Sequence, residues 1–230
     1  MIKQVSKRWP ILALFVISTS FVHTAKADCD DKREAGVDWS GCNKMHKLLD
    51  DQDFTGSRFD GADFSLSKLD ESNFTRASLV KTELTRSSLT EAIFSQTDLN
   101  KSMGYRSNFE KARFINSKLV KSEYIRANFS NASFENIDWS KAELGRANFT
   151  NASLKEVNFE FSNLARARFK GAKLNRVYFT GAYTYQTHFE GTDLTGVNQL
   201  TQAQLDLSCG NDSTTLPEGL IKPAKWPCNE

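Results

Sequence analysis

Ala127-Asn128-Phe129-Ser130-Asn131 and Ala147-Asn148-Phe149-Thr150-Asn151 stand 20 residues apart and are near copies of each other. Each opens with a small residue and carries a large apolar residue two places later. Stepping by five from Phe129, the register runs back to Phe54 and on to Leu194 without a slip. Of the 29 positions reached, 27 are large and apolar, the exceptions being Gly104 and Thr184. The position two residues earlier is Ala, Ser or Thr in 25 cases, and Gln52, Ile137, Val157 and Val177 fill the rest. Toward the N-terminus the register continues weakly through Leu49 to Val37-Asp38-Trp39, with Lys44 breaking it.

A period of five fits neither regular element. On an α-helix five residues advance about 500°, so the apolar residues spiral around the axis. On a straight strand an odd step changes face each time. The apolar set can be buried only if the chain turns once per pentad. The small and large residues, two apart, then point inward together from one short extended side. Polar residues set the number of sides. Arg86, Arg106, Arg126, Arg146 and Arg166 recur every 20 residues, as do Lys81, Lys101, Lys121 and Lys141. So do Phe54, Phe74, Phe94, Phe114 and Phe134, and Phe109, Phe129, Phe149, Phe169 and Phe189. Twenty residues are four pentads, which predicts a square coil with residues 20 apart stacked on one side.

The units around Phe129 and Phe149 follow an A-(D/N)-(L/F)-x-x pattern, and the chain resembles the pentapeptide-repeat family over residues 37–196. The resemblance implies an all-β fold, a right-handed quadrilateral β-helix. At about 4.8 Å per coil, eight coils make a rod of roughly 38 Å. Asn108, Asn128 and Asn148 form an outward polar file expected to hydrogen-bond from coil to coil. Gly104 and Thr184 fall on one side of the square, where core filling is expected to be weakest.

Both ends of a solenoid need caps. Residues 28–36 read as the N-terminal cap and 197–230 as the C-terminal one. Thr201-Gln202-Ala203-Gln204 resembles a capping box leading into a short helix through Leu207. An irregular plug containing Trp226 follows. Residues 1–27 read as a signal peptide. Lys3, Lys7 and Arg8 precede an apolar run, Ile11 to Val22, and Ala25-Lys26-Ala27 has the small-x-small form of a cleavage site before Asp28. The apolar run is short for a membrane anchor. Export, to a periplasm or to the outside, permits disulfides. Ends tens of ångströms apart cannot be bridged, so the square-coil reading pairs Cys29 with Cys42 and Cys209 with Cys228. A zinc site is the alternative use of these cysteines, but neither a C-x-x-C spacing nor a nearby His pair supports it.

The formal net charge is +2, but residues 1–27 hold four bases and no acid; beyond them the balance is −2. It is unevenly spread. Residues 28–75 carry 6 bases and 12 acids, residues 76–176 carry 18 and 10, and residues 177–230 carry 2 and 6. The basic belt centres on Lys81, Lys101, Lys121, Lys141, Arg86, Arg106, Arg126, Arg146 and Arg166, on neighbouring corners. Stacked like charges about 5 Å apart repel by roughly 0.8 kcal/mol even in a water-like dielectric. Glu83, Glu123 and Glu143 are expected to offset part of this through surface ion pairs, each weak. Tyr105, where the pattern lacks its glutamate, is expected to point outward.

Three function classes follow. The favoured one is a non-enzymatic exported binding or scaffold protein using its side faces. Its partner would be an acidic protein, an anionic glycan or lipid headgroups meeting the Lys/Arg ladder. The contrary view of that ladder is a structural salt-bridge row produced by duplication. A DNA-mimic, topoisomerase-interacting role, as the family resemblance implies for some members, calls for a strongly acidic cytoplasmic rod. A polysaccharide-acting enzyme calls for a catalytic constellation. His46 and His188 have no evident partner in sequence, and outward acids such as Asp60, Asp63 and Asp70 read as solvating the rod. No catalytic residue, cofactor, metal, in vivo nucleic-acid partner or transmembrane segment in the mature chain is expected.

Overall fold

In the computed structural model, residues 27–228 are described; the signal-peptide reading, residues 1–27, lies outside them but for Ala27. Backbone pairing is parallel throughout and repeats every 20 residues as far as Asn198. One file runs Asp38, Arg58, Ser78, Asp98, Lys118, Asp138, Asn158, Tyr178, Asn198, which is eight coil-to-coil steps. Most sides of the square are single bridges. The longer runs are β1 (Ile93–Ser95), β2 (Arg113–Ile115), β3 (Ser133–Asp138), β4 (Ser153–Asn158), β5 (Lys173–Asn175), β6 (Val177–Tyr178) and β7 (Val197–Asn198). They form one sheet in the order β1-β2-β3-β4-β6-β7, with β5 also on β4. Pairing passes residue 196, since His188 pairs with Cys209 and Asp193 with Thr215.

The pentad rule explains the interior. Large residues from Phe54 to Leu194 are buried, with the small residues beside them. Phenylalanines 20 apart stack in files: Phe94 on Phe114 at 4.6 Å and 8°, Phe149 on Phe169 at 4.9 Å and 8°. Such pairs add about 0.5–1.5 kcal/mol beyond area burial. Ser and Thr are tolerated at the small position because their hydroxyls find a carbonyl. Some donate across coils, as Thr82 does to Phe59 O at 2.7 Å and Ser72 to Leu49 O at 2.7 Å. Others donate back over the turn, as Ser122 does to Leu119 O at 2.7 Å. The asparagine file bonds as expected: Asn128 Nδ2 donates to Asn108 Oδ1 at 2.8 Å and Asn148 Nδ2 to Asn128 Oδ1 at 3.1 Å.

The corners carry a feature that hydropathy does not encode. The second corner residue of nearly every pentad has a left-handed backbone, for example Lys101 (φ 60°), Arg126 (φ 62°) and Asn151 (φ 58°). Where the corner closes tightly, the next small residue donates back across it, as Ala77 N does to Phe74 O at 3.0 Å around Arg76 (φ 59°). A non-glycine residue in that conformation costs about 1–3 kcal/mol, which the stacked neighbours impose.

The side containing Gly104 and Thr184 is not underfilled, contrary to the expectation from sequence. The Tyr124 ring, one coil above, fills the space a Gly104 side chain would take, and it is fully buried. Thr184 is buried with its hydroxyl donating to Gln204 O at 2.7 Å.

Both ends are plugged. Lys44 keeps its inward place but serves as a lid. Its Nζ stands 3.6 Å over the Trp39 ring and donates to Cys29 O at 2.5 Å. Burial holds this ammonium below the usual lysine range, and the nearby Lys47 charge adds to the effect. The Cys29–Cys42 bridge fastens the strap above it. At the other end, α1 (Gln202–Leu207) starts at Thr201 with the capping box in place. Gln204 Nε2 donates to Phe179 O at 2.7 Å and Ala182 O at 2.8 Å, closing open carbonyls of the last coil. Trp226 Nε1 donates to Ser208 O at 2.8 Å, and Cys209–Cys228 holds the tail down.

Candidate anion-binding surfaces

The nine predicted cations occupy two adjacent corners, all at the second corner position and all exposed. All nine have a left-handed backbone, with φ from 56° at Arg86 to 62° at Arg126 and Arg146. Parallel pairing puts each residue directly above its 20-residue equivalent, so the charges run in two straight rails along the rod. Between them lies one face, whose outward residues include Glu83, Met103, Glu123, Glu143 and Asn163.

The expected ion pairs between that glutamate row and the rails do not form. The ion pairs among the described residues are Lys111–Glu91, Lys155–Glu135, Arg176–Glu156, His188–Glu190 and Lys222–Asp212. None involves a rail cation. Glu83 instead accepts from the Thr85 hydroxyl and from Thr85 N at 3.1 Å, and Glu143 from Asn163 Nδ2 at 2.8 Å. These glutamates are thus engaged by neutral neighbours on their own face. The first three ion pairs are all 20-residue stacks at the two remaining corners, where an acid and a base stand 20 residues apart. The rail corners stack like on like. Tyr105 is exposed as expected, with the Arg106 guanidinium 5.1 Å from its ring centre.

The arginine rail also borders the next face, the one bearing the asparagine file. There Arg126, Arg146, Arg166 and Arg168 line a cleft of about 620 Å³ with Gln186, His188, Cys209 and Cys228. Arg166 Nε donates to Gln186 Oε1 at 2.7 Å. A second cleft of about 580 Å³ lies beyond, reached by Arg168, Lys170 and His188 and bounded by Pro227 and Cys228. Sequence reading missed Arg168 and Lys170. The signal was present: the file Asn108, Asn128, Asn148 changes to Arg168 and then His188.

Histidine and aspartate placement bears on catalysis. His188 has a partner that sequence reading did not find, since its Nδ1 lies 2.8 Å from Glu190 Oε1. The aspartates serve the coil. Asp70 accepts from the Ser88 hydroxyl at 2.6 Å and Thr90 N at 2.7 Å, and Asp63 from Ser65 N at 2.9 Å. Asp60 accepts from the Ser78 hydroxyl and from Val80 N at 3.1 Å. Among the described residues no helix is long and apolar enough to cross a membrane.

A stacked square coil with a five-residue register defines a class, and comparison with known families agrees. The profile described as pentapeptide repeats (8 copies) matches residues 48–86, 67–103 and 82–120, and the pentapeptide repeat region profile matches 105–169 and 124–200. The chain belongs to the pentapeptide-repeat family. No curated protein sequence matches it at a significant level. Among solved structures, it is similar to two trypsin-treated forms of QnrB1, a plasmid-mediated fluoroquinolone resistance protein. One has a TM-score of 0.59 and 19% identity, covering 76% of this chain and 90% of that one. The other has a TM-score of 0.56 and 18% identity, covering 82% and 88%. HetL, a pentapeptide repeat protein involved in heterocyst differentiation regulation from the cyanobacterium Nostoc sp. strain PCC 7120, aligns at TM-score 0.47 and 19% identity over 84% and 92%. At these identities the likeness is one of fold.

Proposed function

We propose that the protein is an exported, non-enzymatic binding protein whose Lys and Arg rails dock a linear polyanion, an acidic glycan chain or a similarly extended acidic partner. The observation that carries this reading is the contrast between corners. Two corners pair opposite charges between some coils, whereas the rail corners stack four lysines and five arginines with no ion-paired carboxylate among the described residues. A row kept for structure would gain from opposite charges at neighbouring steps, as Glu91 and Lys111 provide. Stacked like charges repel, and a ligand with evenly spaced anions relieves that repulsion. Arginine adds bidentate recognition of carboxylate or sulfate groups. The disulfides at both ends and the leader-like N-terminus support export to an oxidising compartment. A DNA-mimic role fits less well, because a duplex mimic presents anions and the middle of this rod presents cations.

The test is retention of the purified mature chain on immobilised acidic polysaccharide across a salt gradient. Replacing Arg106, Arg126 and Arg146 by Gln should bring elution to markedly lower salt. Elution at the wild-type position would show the rails to be structural.

A further inference from the structure

We infer a second, discrete anion site at the C-terminal end of the asparagine face: a pocket for a compact, multiply charged phosphoryl group such as a diphosphate. Three observations converge. Four guanidinium groups, from Arg126, Arg146, Arg166 and Arg168, line one cleft of about 620 Å³, within the range of small-ligand sites. None of its lining residues is acidic. Among the described residues none of the four arginines has an ion-pair partner, and Arg166 is held by Gln186, which fixes its fork without neutralising it.

The pocket also has a built edge. Cys209 and Cys228 line it, so the disulfide that secures the tail gives the open face a wall. Arg168 stands where the preceding coils place Asn148, Asn128 and Asn108, and those asparagines satisfy one another. Arg168, followed in the file by His188, makes no such bond among the described residues and turns a self-satisfied row into a charged one. Four cations around one cleft call for several negative charges in a small volume. A diphosphate supplies them within a single group and accepts bidentate bonds from arginine forks. A monocarboxylate supplies only one.

This site shares Arg126, Arg146 and Arg166 with the arginine rail, but it is set apart from the rail reading by Arg168, which is not a rail residue, and by the absence of the lysine rail from its lining. Calorimetric titration of the disulfide-intact chain with inorganic pyrophosphate tests it, with citrate titrated in parallel. The expected result is saturable pyrophosphate binding, weakened about tenfold or more by Arg168→Gln, the loss of one charge-assisted contact. The triple replacement of Lys101, Lys121 and Lys141 by Gln should leave that affinity unchanged while shifting polysaccharide elution. Conversely, Arg168→Gln should leave polysaccharide elution in place. Absence of pyrophosphate binding, equal binding by Arg168→Gln with an unaltered melting curve, or citrate binding as tight as pyrophosphate would each overturn the assignment.

Discussion

A Cβ built on Gly104 stands 2.4 Å from Cε1 of Tyr124, the residue one coil above it in the same file. The glycine that interrupts the apolar register and the tyrosine that follows are therefore one packing unit. The larger ring occupies the volume of both, and its hydroxyl lies 2.7 Å from Ser102 Oγ.

Restoring the register at this site should harm the protein. Gly104→Leu overfills an occupied space and is expected to cost about 1–3 kcal/mol. Tyr124→Leu alone opens a cavity and also costs stability. The double variant should be more stable than the two single losses predict. A double-mutant cycle from urea unfolding measures the coupling, and simple additivity would contradict the shared-volume account.

The same tyrosine predicts a pH response. Burial pushes the Tyr124 hydroxyl well above the ordinary tyrosine range, opposed only in part by its bond to Ser102. A native value above the unfolded one, near 10, means the contribution is complete below that pH and is lost as pH rises beyond it. Thermal stability should fall above pH 10, and Tyr124→Phe should flatten the decline. An unchanged slope in the variant would assign the fall to other groups.

Corner conformation predicts which substitutions the rails tolerate. Lys121 (φ 57°) and Arg126 (φ 62°) sit in the left-handed region, where glycine is unstrained and a β-branched residue is worst placed. Arg126→Gly should leave stability within about 1 kcal/mol of the parent, and Arg126→Val should lose about 1–3 kcal/mol. Similar losses for the two would mean that the guanidinium, not the backbone, is what matters there.

Rail charge should carry a stability cost that other corners do not. Arg126→Gln and Lys121→Gln are expected to raise the melting temperature slightly at low salt, with the gain fading as ionic strength increases. Lys111→Gln, which breaks the pair with Glu91 2.9 Å away, should lower it slightly. Equal effects at both corners would remove the distinction on which the binding reading rests.

Reduction should act at the ends. Cys29–Cys42 and Cys209–Cys228 span 13 and 19 residues, and loss of such a bridge costs about 2–4 kcal/mol. Hydrogen exchange after reduction should rise first around Lys44 and Trp226, leaving the stacked phenylalanines protected. Uniform loss of protection would show a single cooperative unit instead.

Much of this protein was decided by its sequence alone. The five-residue register fixed which side chains are buried, because only a chain turning once per pentad hides them. The 20-residue recurrence of Arg86 to Arg166 fixed the four sides, and the position of the cysteines fixed their pairing. Other properties exist only between coils. Whether Glu143 meets a rail cation depends on which neighbour reaches it, and Asn163, one coil on, occupies it. How Gly104 is filled depends on a ring 20 residues away. The cleft around Arg168 exists because the folded tail, tethered through Cys228, comes back against arginines contributed by three successive coils. Hydropathy along a chain reports which way each residue points. It does not report which neighbours meet there, and electrostatic pairing and cavity shape are properties of those meetings.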